Sequence, residues 1–395
     1  MKKWKFDKIS LQLPTGAIPA TGEIELSYKG EVKVCIQCSH FVPASMSRLS
    51  ATGQDTKSGV TFQIPQGVIV RSSSDGSMTI KPLKTMIFYP VKDKNPIRIE
   101  HHLKNIKCYG FGSTRYGGSD VHLQPYPNLD INLVEPGQIN AVLTIESSSG
   151  YPSTSVALAD ESCAILSMVN RCPIGWVMKE AFNASGEAIE THLQEVNKNF
   201  PILSPMTSFD SPSMIEFVEK SYQGYSSNLV SFGLNVLIDY YCRSHTETTA
   251  EVKYLFASIF MESFKFNWAA NISGYQPQTK ANGLIKGFKA NPSDAHMQSF
   301  EQLLVGACNH IGFPAVVSSG GAPGTFSFID DRNCIFHSGL SSAHQHGHPS
   351  SWPHIKTELE SIFDQIDNIL LRLVGYVGEY FPVSYHGHYA PKKIP

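Results

Sequence analysis

The chain has 395 residues, of which 42% are hydrophobic and 17% charged, and its formal net charge is −2. That length suits two domains with separate cores, and the composition is globular rather than disordered. The near-neutral charge argues against a protein that coats nucleic acid or acidic lipid through a global basic field.

The first residues, "MKKWKFDKIS", are basic but lead into no apolar stretch, so no secretory signal is expected. No run of about eighteen apolar residues exists, so no membrane span is expected either. Eight cysteines are scattered along the chain. Without a signal they read as reduced thiols of a cytoplasmic protein, packed mostly as small hydrophobes. Cys35 and Cys38 form one CxxC, but Val32, Val34, Ile36 and Cys38 alternate there, which points to a strand. A zinc site needs a second ligand pair, and none has a clear spacing.

The first half has period two. In "GVTFQIPQGVIVRSS" Val60, Phe62 and Ile64 share one face. "SMTIKP", "KTMIFYPV", "NPIRIEHHL", "LDINLV" and "INAVLTIES" continue the pattern, separated by Gly, Pro, Asn, Asp and Ser. Short strands so punctuated suggest an antiparallel sandwich or barrel-like domain, and residues 1–205 are assigned an antiparallel β-sandwich-like fold. Within it "GWVMKEAFNASGEAIETHL" reads as a strand, a turn at 183–186, and then a second strand or a helix. Prolines and serines in "NFPILSPMTSFDSPS" mark a linker, placed at 206–225.

Residues 226–395 switch to helical period. Val230, Leu234, Leu237, Ile238 and Tyr241 recur at three and four. Val252, Leu255, Ile259 and Phe266 form a second stripe, with Tyr254, Met261, Phe264 and Trp268 opposite. Such a helix is buried, or shared between a core and a dimer interface. A third helix spans about 296–311. The last runs from Ile355 to Val377, with Pro353 suited to its first turn. These four amphipathic helices predict an all-α four-helix bundle, and the chain as a whole an α+β multidomain protein. A long Gly-, Ser- and His-rich connection separates the third helix from the fourth. Loops of that length are usually functional or mobile.

"DDRNCIFHSG", residues 331–340, lies in that connection. RNA is cleaved without a metal when the ribose 2′-OH attacks phosphorus and the 5′-oxygen leaves. Histidine suits the required base and acid because its pKa lies near working pH. A permanently charged guanidinium holds the phosphorane charge. Arg332 and His337 form half of such a site, and a dimer completes it. Spacing alone is weak among 15 histidines, and Arg115 with His122 makes a decoy in the β-rich half. Arg332 and His337 are distinguished by Asn333 and by the apolar Ile335 and Phe336 between them. The competing bland reading pairs Arg332 with Asp330 or Asp331 on the surface and lets His337 cap a turn.

"RNCIFH" beside apolar helices resembles the HEPN superfamily, whose pattern is Arg, a polar residue, three further residues and His. The last helix, ending "LLRLVGYVGEYF", is similar to that of abortive-infection proteins of the ApeA type, which also place a β-rich domain first. The resemblance covers roughly 210–395. It implies a HEPN-like bundle, a homodimer formed through it, and metal-independent endoribonuclease activity in bacterial antiphage defence. It also implies that His337 is the acid–base residue, that Arg332 binds the scissile phosphate, and that Asn333 orients the phosphate or one of the other two. Neither a cofactor nor a metal is expected. A β domain would then bind an unidentified trigger. Some members of that superfamily serve as non-catalytic scaffolds, which is the alternative reading.

Glu262 lies on the otherwise apolar stripe of the second helix. A buried carboxylate there needs a partner such as Arg332 or His337, whereas a stripe-edge glutamate reaches water. In "SSAHQHGHPSSWPH", His344, His346, His348 and His354 read as a solvated loop, with a metal-dependent hydrolase as the rival. Arg243 and His245 in "RSHTE" read as helix-end polarity.

Overall fold

A computed structural model describes residues 2–39, 42, 48–127, 129, 135, 137–147, 154–194, 200, 203, 205–313, 351–383 and 390–394. The chain divides into two compact units. The first comprises Met1–Cys163, Ile174–Ile202 and Phe209–Glu216; the second comprises Ala164–Pro173, Leu203–Ser208 and Phe217–Pro395.

The first unit holds one 12-stranded antiparallel sheet. Its first six strands are β1 (Lys2–Leu13), β2 (Gly16–Leu26), β3 (Val32–Cys38), β4 (Leu49–Gln54), β5 (Thr61–Ser72) and β6 (Ser77–Phe88). They run in the order β3-β2-β1-β4-β5-β6 and close where β3 pairs with β6, giving a six-stranded barrel. Alternation builds it: Leu11, Ile24, Val34, Ile36, Ile64 and Ile80 are buried within one apolar cluster. Cys38 joins that cluster, while Cys35 lies on the other face of β3. The CxxC is therefore strand packing, with its two thiols on opposite sides.

One edge of β6 serves two partners. Its residues 77–80 pair with β3 and close the barrel; residues 84–88 pair with β12 (Ala188–Gln194). From β12 the sheet continues through β11 (Gly175–Phe182), β7 (Arg98–Lys104), β10 (Ile139–Glu146), β9 (Ser119–Pro125) and β8 (Gly112–Tyr116). Helix α1 (Thr154–Asn170) begins against this extension: Ser162 and Tyr116 hydroxyls are 2.8 Å apart, and Trp176 donates to Asp160 at 3.2 Å.

The second unit contains α3 (Leu234–Thr246), α4 (Ala250–Asn271), α5 (Phe300–His310) and α6 (Ser351–Leu373). Thr249 caps α4, and Ser299 with Gln302 forms a capping box on α5. Helix α4 packs on α3, α5 and α6 through Tyr254, Phe260, Met261, Phe264 and Trp268. The Val252–Phe266 stripe is thus the less buried side of α4. Helix α2 (Ser211–Asn228) occupies most of the stretch read as a linker. In the same unit Arg171 at the end of α1 donates to Asp367 (2.9 Å) and to the Tyr241 hydroxyl (3.2 Å), and Tyr241 donates to Asp367 (2.5 Å). All three are buried. Burial opposes the Arg171 charge, but Asp367 and Tyr241 hold its pKa above the usual value.

The expected fold class is corrected on both counts. The β-rich part is a closed barrel extended by six strands and partly covered by α1, rather than a sandwich. Among the described residues the second unit is not all-α either: β13 (Gln276–Thr279) pairs with β14 (Ile285–Lys289), and β15 (Gly378–Tyr380) with β16 (Lys392–Ile394). Alternation gives faces and not closure, so it does not choose between a sandwich and a barrel. These short hairpins were missed because three to five residues carry too little periodicity.

Helix α2 approaches the end of α6 through Gly224, where an added Cβ would sit 2.3 Å from the Val374 carbonyl carbon and oxygen. The obstacle is backbone and cannot rotate away. Gly224→Ala is expected to cost about 1–3 kcal/mol, measured as a lower urea midpoint. An unchanged midpoint contradicts this close approach.

Candidate functional site

Arg332, Asn333 and His337 lie outside the described residues, as do His344, His346 and His348. Glu262 is described. Its side chain is 34% exposed and pairs with Lys265 at 2.7 Å, one turn along α4. It lines a surface pocket of about 400 Å³ with Gly233, Val236 and Phe266. Of the two readings of Glu262, the partly exposed side chain matches the stripe-edge glutamate rather than the buried carboxylate. His245 proves to be a core ring, 4.1 Å from Phe363 and 4.6 Å from Tyr241, while Arg243 pairs with Asp239 at 2.9 Å. In the decoy pair, Arg115 faces Asp120 and His122 bonds Ser113.

A polar cluster absent from the sequence reading lies in the extended sheet of the first unit. Two ladder rows build it. Thr191, Glu180, Glu100 and Thr144 stand directly opposite one another across β12, β11, β7 and β10. Leu193, Met178, His102 and Val142 form the next row on the same face. Residues i and i+2 share a face, so Glu100 and His102 project together toward Glu180.

Glu180 is the hub. Lys2 Nζ lies 2.5 Å from Glu180 Oε2, and His102 Nε2 lies 3.2 Å from the same oxygen. The side chains of His102 and Glu180 are each 7% exposed, that of Lys2 40%. Thr191 donates to Glu180 at 3.4 Å; Tyr89 and Thr191 hydroxyls are 3.2 Å apart, and Trp4 Nε1 donates to Tyr89 at 3.1 Å. Arg98 Nε is 3.4 Å from Glu100 Oε1. Burial alone would raise the Glu180 pKa, but the close approach of His102 and the hydrogen bond and charge of Lys2 prevail and bring it down to about 2.

As at His101 and Asn140 nearby, polar atoms of His102 are buried without a hydrogen bond. Neither ring nitrogen makes a hydrogen bond, since the 3.2 Å approach to Glu180 lacks the alignment. Buried polar atoms ordinarily find partners, and an unmade bond is costly. His101, on the opposite face, is lowered by burial to about 3 and stays neutral.

Beside this cluster is a cavity of about 200 Å³, lined by Lys2, Tyr28, Tyr126, Gln138, Ile139 and Met178 among others. Tyr126 is the ring neighbour of His102 at 5.6 Å, and Met178 its ladder neighbour. A second groove, about 960 Å³, runs over the barrel. Its Asp7, Asp55 and Asp75 accept from Thr56, Ser58 and Ser77. Those carboxylates build turns, which leaves them poorly placed for acid–base work.

Comparison of the chain with protein-family models, with curated proteins and with solved structures gave no match.

Glu180 titrates near 2 in the folded protein against an ordinary 4.5. Its contribution to stability is therefore present above about pH 4.5 and is lost as pH falls toward 2. The gap in unfolding free energy between wild type and Glu180→Gln is expected to narrow by roughly 3 kcal/mol over that window. Urea titrations at several pH values measure it. A constant gap means that Lys2 and His102 do not hold the carboxylate.

Proposed function

We propose that the chain is a metal-independent endoribonuclease, cytoplasmic and homodimeric, whose second unit cleaves RNA and whose first unit receives a trigger, in an antiphage defence role. The observation that carries this reading is the Arg332-Asn333-x3-His337 spacing on the segment between α5 and α6. Helices α5 and α6, on either side of it in sequence, both pack on α4. His337 takes and returns the proton of the 2′-OH and the leaving oxygen, and Arg332 holds the phosphorane charge. Partly exposed Val236 and Phe266 on α3 and α4 offer an apolar surface suited to a dimer. The polar cluster on β7 and β11 suits a binding role for the first unit. Among the described residues no helix is long and apolar enough to cross a membrane.

A non-catalytic interaction protein is the second reading. The Glu262–Lys265 pair and the formal charge of −2 favour it, since generic RNA affinity comes largely from Lys and Arg.

The full chain incubated with RNA in EDTA is expected to leave 2′,3′-cyclic phosphate ends. His337→Ala should lower the rate by about 10²–10⁴-fold. Cutting that requires a metal, or that survives both His337→Ala and Arg332→Ala, overturns the assignment.

A further inference from the structure

We propose that Glu100, His102 and Glu180 form a binding site for a divalent first-row cation such as Zn²⁺ or Mn²⁺, with Lys2 as a displaceable internal competitor. The donor atoms of the three side chains lie within 4.8 Å of one another. A tetrahedral site with bonds of about 2.0–2.1 Å needs them roughly 3.4 Å apart. His102 already stands 3.2 Å from Glu180. Glu100 is the outermost donor, with its side chain 26% exposed, so a turn of its carboxylate closes the set.

An ion-pair network alone leaves one feature unexplained. Each carboxylate has its own cation, Lys2 for Glu180 and Arg98 for Glu100. Neither cation occupies His102, whose two nitrogens are buried without a hydrogen bond. A cation at the centre uses the imidazole lone pair and bridges the carboxylates that the register sets face to face. Like charges directly opposite in a sheet are destabilising, so such a bridge relieves the pairing as well as filling the imidazole. One nitrogen with two carboxylate oxygens suits Zn²⁺, Mn²⁺ or Fe²⁺ rather than a soft thiophilic ion.

Lys2 marks both the position of positive charge and the way in. Its ammonium occupies one Glu180 oxygen, yet its side chain is 40% exposed, so it leaves into water without uncovering a core. Lys2 also lines the 200 Å³ cavity. Glu100, His102 and Glu180 do not themselves line that cavity; Lys2 and Met178, the ladder neighbour of His102, do.

The test uses the full chain with His344→Ala, His346→Ala, His348→Ala and His354→Ala, so that the histidine-rich stretch does not supply ligands. The chelator-treated protein is titrated with Zn²⁺ alone and with Mn²⁺ alone by competition against an indicator, and zinc-edge absorption reads the ligand set. One ion per chain is expected, bound through one imidazole nitrogen and oxygens. His102→Ala and Glu180→Gln should each weaken binding by at least about tenfold, and Lys2→Met should tighten it. Glu100→Gln, at the more exposed donor, covers the case in which a buried substitution fails to fold, and it too should weaken binding. No stoichiometric binding overturns the proposal. So does binding unchanged by His102→Ala or Glu100→Gln in folded protein, or tightening absent in Lys2→Met.

Discussion

The architecture of the first unit follows from the two partners on one edge of β6. Residues 77–80 close the barrel against β3, and residues 84–88 start the extended sheet against β12. A strand has one hydrogen-bonding edge on each side, so the second pairing begins only where the first has ended. The branch leaves the start of β1 near β11 and β12. Trp4, Tyr89 and Thr191 then relay hydrogen bonds to Glu180, and Lys2 reaches the same carboxylate. The polar cluster is thus a consequence of topology, assembled from residues up to 178 positions apart.

The two units treat buried charge in contrasting ways. Arg171, Tyr241 and Asp367 satisfy one another in a sealed set, where breaking one partner leaves an uncompensated charge worth about 3–5 kcal/mol. That set is closed, and its chemistry is spent on fixing how α1, α3 and α6 meet. The set around Glu180 is incomplete. It shares one oxygen between Lys2 and His102, leaves the imidazole unbonded, and borders a cavity. Incomplete polar satisfaction next to open space is where ligand chemistry is to be sought.

Much of the element order was legible in the sequence. Alternation in "GVTFQIPQGVIVRSS" marked β5, the turn at 183–186 marked the β11–β12 hairpin, and apolar recurrence marked α3 to α6. Helix α1 has no clear sequence signal, because its largely apolar stretch has little contrasting polar side. Glu262 was assigned from a stripe that proved to be the less buried face of α4. The Glu100, His102 and Glu180 cluster had a local trace in "RIEHHL", where acid and imidazole share a strand face. Its third member is fixed only by the β7–β11 register, which no single segment encodes.

Glu180, buried, and Glu100, partly exposed, face each other across β11 and β7, on a ladder where apolar or oppositely charged residues pack more favourably. A sequence that breaks a local rule at a buried position offsets the cost elsewhere, and such places concentrate at functional sites. Lys2 and Arg98 offset part of it here. A cation that binds only the folded ladder offsets the rest, by RT ln(1 + [L]/Kd), or about 2.7 kcal/mol when the free ion is at a hundred times its Kd. On that argument the pairing of β7 with β11, which sits between the barrel side of the sheet and β10, is the point at which occupancy of a small site most directly changes the stability of the first unit.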